Sequence, residues 1–316
     1  MEPRIVFLER GSVAADFPRP AQPHTWVDFP YTSPADIVPR LRGAQVAVIN
    51  KLRLDAAVLA QLPELRMIAL AATGSDNIDL AACRARGLVV SNVRGYAETS
   101  VPEHVIGLML ALSRQLIAYH RDVGAGRWPT SRHFCFLDHP MRDLRGATLG
   151  LVGQGSLGQG VARLAEAFGM RILWSERPAA AQVRPGRVSF EQMLREADVV
   201  SLHCPLNADT RGMIDAAALQ AMKPQAFLIN TARGALVDEA ALAEALRRGD
   251  IAGAAIDVLS VEPPPADHPL LAADIPNLIL TPHVAWASAE AMQAMAEQVV
   301  ANIEAFLAAS PRNRLA

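Results

Sequence analysis

Three side chains of complementary chemistry, Arg233, Glu262 and His283, each stand a few residues beyond a short apolar run. Arg233 follows Phe227-Leu-Ile-Asn-Thr-Ala, Glu262 follows Ala255-Ile-Asp-Val-Leu-Ser-Val, and His283 follows Leu278-Ile-Leu-Thr-Pro. A guanidinium binds a carboxylate in a two-pronged geometry that lysine lacks. Histidine exchanges a proton near neutral pH, and a neighbouring carboxylate favours its protonated form and orients its ring. Such a set could bind an organic acid and move a proton at an oxygen beside the carboxylate. Taken singly, each residue also fits a surface charge or a satisfied loop histidine. Their joint placement after consecutive apolar runs is what sets them apart.

A second pattern precedes them. In Thr148-Leu-Gly-Leu-Val-Gly-Gln-Gly-Ser-Leu-Gly-Gln-Gly160, an apolar run enters a turn carrying Gly153, Gly155 and Gly158. Leu157, Val161, Leu164 and Phe168 then repeat at helical spacing, and Gly169 is placed to cap the helix. This is the dinucleotide fingerprint in its strand–turn–helix setting. The first glycine makes the turn, the second lets backbone approach a pyrophosphate, and the third lets helix pack on strand. The helix N-terminus offers free N–H groups and a positive dipole end to the phosphates. An acidic residue about twenty positions later normally accepts the adenosine ribose hydroxyls and repels a 2′-phosphate. Glu176, in Arg171-Ile-Leu-Trp-Ser-Glu-Arg177, occupies that place and points to NAD. Arg177 could instead hold the extra phosphate, so NADP stays open.

The elements that must carry these residues form two series. Ile5–Leu8, Val46–Ile49, Met67–Leu70 and Leu88–Val90 read as strands, with helices over Asp55–Gln61 and Asp79–Arg86. The proline-bearing stretch Phe17–Pro39 gives no regular pattern. Thr99-Ser-Val-Pro-Glu-His carries the cap, proline and acidic signals of a helix start, and the helix is expected to run to about His120. Its apolar positions Val105, Leu108, Leu112 and Leu116 suit a core or a subunit interface equally. A loop from Gly124 to Arg145 follows. Beyond the glycine turn, Ile172–Trp174, Val199–His203, Phe227–Asn230, Ala254–Asp257 and Leu278–Leu280 read as strands. Helices are expected at Glu239–Arg247, stopped by Gly249, and at Ser288–Leu307. Strands alternating with helices mean parallel sheets. The expected fold is α/β with two doubly wound domains: a flavodoxin-like one from 1–98 and 287–316, and a Rossmann dinucleotide-binding one from 99–286.

Composition removes other classes. The 316 residues are 51% hydrophobic and 20% charged with a formal net charge of −2, ordinary for a globular protein and without a basic surface for nucleic acid. The most apolar helix is interrupted by Glu103, His104 and Arg114, which argues against a membrane span. Cys83, Cys135 and Cys204 are scattered with no C-x-x-C, so neither a disulfide framework nor a zinc site is expected, and no metal at all. The first residues offer an apolar run of only four, too short for a signal peptide. A cytoplasmic location is expected.

Asn230-Thr-Ala-Arg-Gly-Ala-Leu-Val-Asp-Glu239, Ala255-Ile-Asp-Val-Leu-Ser-Val-Glu-Pro-Pro264 and Thr281-Pro-His-Val-Ala-Trp286 resemble the signature blocks of the D-isomer-specific 2-hydroxyacid dehydrogenases. The resemblance covers nearly the whole chain. Ala71-Ala-Thr-Gly-Ser-Asp-Asn-Ile-Asp79 is similar to that family's substrate loop. Asn92-Val-Arg-Gly-Tyr96, Val101-Pro-Glu-His104 and the final Trp286 are similar to its glycerate dehydrogenase, or hydroxypyruvate reductase, branch.

The resemblance implies reduction of a short 2-oxo acid to the D-2-hydroxy acid. It makes Arg233 the anchor of the substrate carboxylate and carbonyl, His283 the acid/base and Glu262 its partner. Backbone at Ala72, Thr73 and Gly74 would also hold the carboxylate, and Arg94 would face the substrate or brace its loop. Gly153, Gly155, Ser156, Leu157 and Gly158 would receive the pyrophosphate. Cys204, Pro205 and Thr231 would line the cofactor cleft, and Asp257 would meet the nicotinamide amide. His203 reads as structural. Hydroxypyruvate to D-glycerate, with glyoxylate to glycolate, is the implied reaction. Phosphoglycerate or another D-2-hydroxy acid is the alternative, and an NAD(H)-sensing binding protein a remote one. The family is usually dimeric, and closure of the two domains over the cofactor is expected. Glu176 departs from the family's commoner Asp. Glu262 stands where formate dehydrogenases carry Gln, and 316 residues leave no room for the regulatory domain of some phosphoglycerate dehydrogenases.

Overall fold

The computed structural model describes residues 2–316, which form two compact units. The stretch ending at Ala97 joins Ala287–Ala316 in the first, and Glu98–Trp286 makes the second.

In the first unit the elements run β1 (Arg4–Phe7), β2 (Thr25–Asp28), α1 (Ile37–Leu41), β3 (Val46–Ile49), α2 (Ala56–Ala60), β4 (Met67–Leu70), α3 (Leu80–Ala85) and β5 (Val89–Ser91). Every strand pairing is parallel, in the order β2-β1-β3-β4-β5. β3 and β4 are buried along their whole length, which is why they read as unbroken apolar runs. β2 lay hidden in the proline-bearing stretch. It is a sheet-edge strand of mixed exposure, Thr-Trp-Val-Asp, without the apolar run that marks its neighbours. At the opposite edge the chain terminus covers β5: the Val90 amide donates to the Ala316 carbonyl and the Leu315 amide to the Val90 carbonyl.

The second unit begins with α4 (Ser100–Ser113) and α5 (Leu116–Gly124), then β6 (Thr148–Val152), α6 (Ser156–Ala167), β7 (Arg171–Trp174), α7 (Phe190–Glu196) and β8 (Val199–Leu202). It continues through α8 (Ala216–Ala221), β9 (Phe227–Asn230), α9 (Glu239–Arg248), β10 (Gly253–Ile256) and β11 (Leu278–Leu280). Its sheet is also all parallel, in the order β11-β10-β9-β8-β6-β7. The chain then returns to the first unit as α10 (Ala289–Leu307), capped by the Ser288 hydroxyl.

The single helix expected from Val101 to about His120 is two helices. Gln115, at φ +54°, takes the left-handed conformation and ends the first ladder. Val105, Leu108 and Leu112 therefore bury against β9, β10 and α6, whereas Leu116 turns outward on α5. Gly160 lets α6 approach α4, since a methyl group there would lie 2.6 Å from the Pro102 ring. The other expected elements appear with ends moved by no more than one residue.

Candidate active site

Both sheets reverse strand order once, and in the second unit the reversal lies between β6 and β8. Loops from the carboxyl ends of these strands form the crevice where such sheets bind ligands. Gly153, just past β6, has φ +109°, and a Cβ there would stand 2.4 Å from the His203 carbonyl oxygen beyond β8. Only glycine allows that backbone contact. A Cβ on Gly158 would lie 2.2 Å from the Gly153 carbonyl oxygen, so the third glycine seats α6 on the turn. Gly155, the N-cap of α6, differs from both: a Cβ there meets nothing within 4 Å. Its open flank leaves backbone approachable beside the first amides of a twelve-residue helix, Ser156 and Leu157 among them.

Thr231, beyond β9, has a buried hydroxyl oxygen with no hydrogen-bond partner. A buried polar atom left so is costly unless a ligand satisfies it. The glycine turn, the helix amides and this orphan hydroxyl together fit a dinucleotide. Cys204 and Pro205 continue the same side. Burial pushes the Cys204 thiol up to about 11, which keeps it protonated and unreactive at neutral pH. The Pro205 carbonyl accepts from the Thr210 hydroxyl at 2.8 Å. His203 pairs with the Ser201 hydroxyl at 2.9 Å, and desolvation pushes its ring down to about 4. It is neutral at neutral pH and serves structure.

Arg233, Glu262 and His283 come from the loops after β9, β10 and β11. Gly234 fastens the first two loops: a Cβ on it would lie 2.0 Å from the Leu259 carbonyl carbon. The Leu259 amide in turn donates to Glu262 Oε1 at 2.8 Å. Glu262 Oε2 meets His283 Nδ1 at 2.6 Å, so the carboxylate engages one of the two ring nitrogens. The Arg233 guanidinium donates from Nη1 to the Ala232 carbonyl at 2.8 Å.

His283 takes φ +56°, a left-handed backbone that costs a non-glycine residue roughly 1–3 kcal/mol. Asp257 holds it there. Its backbone oxygen accepts the His283 amide at 2.7 Å. Its carboxylate, 2% exposed, accepts the Thr281 hydroxyl at 2.6 Å and the Val284 and Ala285 amides at 2.9 Å each. The resemblance placed Asp257 against the nicotinamide amide; in the structure three donors of the His283 loop already engage it. The Trp286 indole closes the loop by donating to the His283 carbonyl at 2.9 Å.

The first unit presents its own expected residues together. The Val93 amide donates to the Ala72 carbonyl, the Thr73 hydroxyl to the Val93 carbonyl, and the Asn92 side chain to the Thr73 carbonyl. Gly74 follows in the same loop. Arg94 is braced, its Nε donating to Asn92 Oδ1 at 3.2 Å and its backbone bonding twice to the Gln298 side chain.

At the end of β7, Glu176 is not a free acceptor. Its carboxylate is gripped by the Arg184 guanidinium, from Nε at 2.6 Å and Nη2 at 2.5 Å, and by the Arg177 amide. The Arg184 contact, with the Arg177 amide, holds this carboxyl down at about 2. Arg184 and Arg187 went unnoticed in the sequence because they lie eight and eleven residues beyond Glu176, in a segment without periodicity. Their one signal was a run holding three arginines and no acid, Arg177 to Arg187. His104 was also missed, its ring 3.4 Å from the Thr281 hydroxyl. Among the described residues, no three His, Cys, Asp or Glu side chains group to hold a metal, and no helix is long and apolar enough to cross a membrane.

The family model of the D-isomer specific 2-hydroxyacid dehydrogenase NAD binding domain matches residues 106–285. Over 316 residues the chain is 49% identical to a glycerate dehydrogenase of Methylorubrum extorquens, covering 99% of each. It is 32% identical over 285 residues to a hydroxypyruvate reductase of Blautia hydrogenotrophica, covering 89% of this chain and 88% of that one. Among solved structures, an NADPH-dependent glyoxylate/hydroxypyruvate reductase of Sinorhizobium meliloti, in complex with NADP and malonate, is similar with a TM-score of 0.83. The two are 31% identical, over 100% of this chain and 97% of that one.

The Asp257 contacts make a prediction. Asp257→Asn keeps one oxygen and turns an N–H toward amides that need an acceptor. The expected result is a fall in kcat of about tenfold or more with a lowered Tm, since an unsatisfied buried donor costs about 1–3 kcal/mol. Wild-type kcat in this variant, from steady-state kinetics, would show that the His283 loop does not depend on the carboxylate.

Proposed function

Since the chain belongs to the D-isomer specific 2-hydroxyacid dehydrogenase family, we propose that it reduces hydroxypyruvate to D-glycerate, and glyoxylate to glycolate, with NAD(P)H. The single observation that carries the reading is the 2.6 Å contact of His283 with Glu262 on loops locked to the one bearing Arg233. The relatives named glycerate dehydrogenase and hydroxypyruvate reductase support the choice of substrate.

The dinucleotide would be held by Gly153, Gly155, Ser156, Leu157 and Gly158 at its pyrophosphate, with Cys204, Pro205 and Thr231 along the cleft. The chemistry supplied by the nicotinamide, when bound, is hydride donation to the C2 carbonyl carbon. Arg233 binds the substrate carboxylate and stabilises charge developing on the C2 oxygen. His283, protonated and steadied by Glu262, gives its proton to that oxygen. Within the first unit, the loop of Ala72, Thr73 and Gly74 is held by Asn92 and Val93, beside the braced Arg94. In the reverse direction His283 takes the hydroxyl proton. The three cysteines are unpaired, which suits a reducing compartment and the cytoplasm.

We further propose a homodimer built on the second unit. Its α5 exposes Leu116, Ile117 and Val123, and the following segment exposes Trp128, Phe134, Leu137 and Met141, with Phe134 at 90% and Leu137 at 75%. This segment is ordered against α5: the Tyr119 hydroxyl donates to the His139 carbonyl, and His139 pairs with Asp122 at 2.6 Å. A rigid apolar face of this kind suits a second copy of the chain.

Oxidation of reduced dinucleotide, followed by absorbance, should proceed with hydroxypyruvate at the highest kcat/KM, with glyoxylate next and phosphohydroxypyruvate far behind. His283→Ala should lose about two to four orders of magnitude in kcat while dinucleotide affinity stays within about twofold. Surviving turnover would remove His283 from proton transfer. Glu262→Gln should lower kcat for reduction by about tenfold or more while dinucleotide affinity is kept, and wild-type kcat in this variant would deny Glu262 its part.

Light scattering on a sizing column should give about twice the chain mass of 33.9 kDa, and Phe134→Asp with Leu137→Asp should give the single-chain mass. A monomeric wild-type enzyme would refute the interface.

A further inference from the structure

The adenosine-ribose end of the cofactor crevice is built unlike the free carboxylate that the sequence pattern leads one to expect. Glu176 caps β7 with a side chain only 4% exposed. One oxygen accepts the Arg177 amide at 2.9 Å and Arg184 Nη2 at 2.5 Å; the other accepts Arg184 Nε at 2.6 Å and lies 4.0 Å from Arg187 Nε. The two-pronged guanidinium takes the lone pairs that two ribose hydroxyls would need. Arg187 is fixed independently. It donates from Nη1 to the Ser175 carbonyl at 3.1 Å and from Nη2 to Gln154 Oε1 at 2.8 Å. Gln154 lies between Gly153 and Gly155, so Arg187 spans from the end of β7 to the pyrophosphate turn.

The charge balance points the same way. From Glu176 to Arg187 the chain carries Arg177, Arg184 and Arg187 against the one carboxylate, and that carboxylate is already neutralised. A 2′-hydroxyl finds little here. A 2′-phosphate finds guanidinium groups, one of them, Arg184, with half its side chain (53%) in solvent, so that it can present charge to a second acceptor while it stays on Glu176. Binding the unphosphorylated dinucleotide through Glu176 would instead require the carboxylate to give up its two-pronged guanidinium contact to neutral hydroxyls, which are weaker partners.

We propose that this enzyme prefers the 2′-phosphorylated dinucleotide, with Arg184 and Arg187 recognising the phosphate and Arg184 acting as the selector by covering Glu176. The inference rests on the functional reading above, since it needs a dinucleotide on the glycine turn of the second unit.

Equilibrium titration of the purified enzyme with NADPH and with NADH, in the absence of substrate, tests it through quenching of tryptophan fluorescence. Wild-type enzyme should bind NADPH about tenfold more tightly than NADH, the scale of one charge-assisted contact. Arg184→Gln should reverse the order, weakening NADPH and tightening NADH as Glu176 is released. Adenosine 2′,5′-bisphosphate should displace NADPH from the wild-type enzyme at a concentration well below that needed of 5′-AMP, a comparison that needs no variant to fold. Tighter binding of NADH to the wild type, an NADPH-to-NADH ratio unchanged by Arg184→Gln, or equal displacement by the two adenosine nucleotides would each overturn the inference and leave the dehydrogenase reading standing. Binding of neither dinucleotide would overturn both.

Discussion

One buried carboxylate carries much of the geometry of the candidate site. Asp257 spends three acceptor positions on the loop after β11 and a fourth, from its own backbone, on the His283 amide. These bonds hold His283 in a left-handed conformation that the chain would otherwise leave. With the backbone so constrained, Nδ1 reaches Glu262 at 2.6 Å. A strained backbone at this point is a means of aiming a ring, and its cost is met by hydrogen bonds that would be orphaned if the loop relaxed.

Close backbone approach supplies the rest of the alignment. Gly234 presses on Leu259 and Ser260, Gly153 on His203 and Cys204, and Gly158 on Gly153. None of these contacts tolerates a Cβ: the first two each tie two strand-end loops at a separation that side chains could not achieve, and the third seats α6 on its own turn. Glu239 reinforces the region, accepting from the Ser260 amide and hydroxyl at 2.6 Å each and from the His268 ring at 3.0 Å. Arg233, Glu262 and His283 thus sit on loops whose backbones are fastened to one another, which is how a parallel sheet holds a constellation from several strand ends.

The ribose end follows a different logic. There the decisive feature is which partner a carboxylate already has, and that partner is eight residues away along a segment with no regular structure. An acidic residue in the customary place means one thing when open to the crevice and another when covered by guanidinium.

Much of the fold was legible in the sequence because both sheets are parallel and buried on both faces. Such strands appear as short apolar runs separated by helices and turn glycines, and that signal needs no knowledge of neighbours. The exceptions have physical causes. β2 is an edge strand with half-exposed residues, and the break at Gln115 comes from a residue that does not advertise a left-handed turn. The residue types of the site, Arg233, Glu262 and His283 beyond consecutive strands, and the glycine turn were also carried by spacing alone. Only the tertiary structure decided what each polar atom touches: that Asp257 anchors the His283 loop, that Leu116 faces outward while Leu112 is core, and that Glu176 is paired with Arg184. Periodicity records burial along one element, whereas hydrogen-bond partners are chosen between loops far apart in the chain, and a one-dimensional pattern holds no record of that choice.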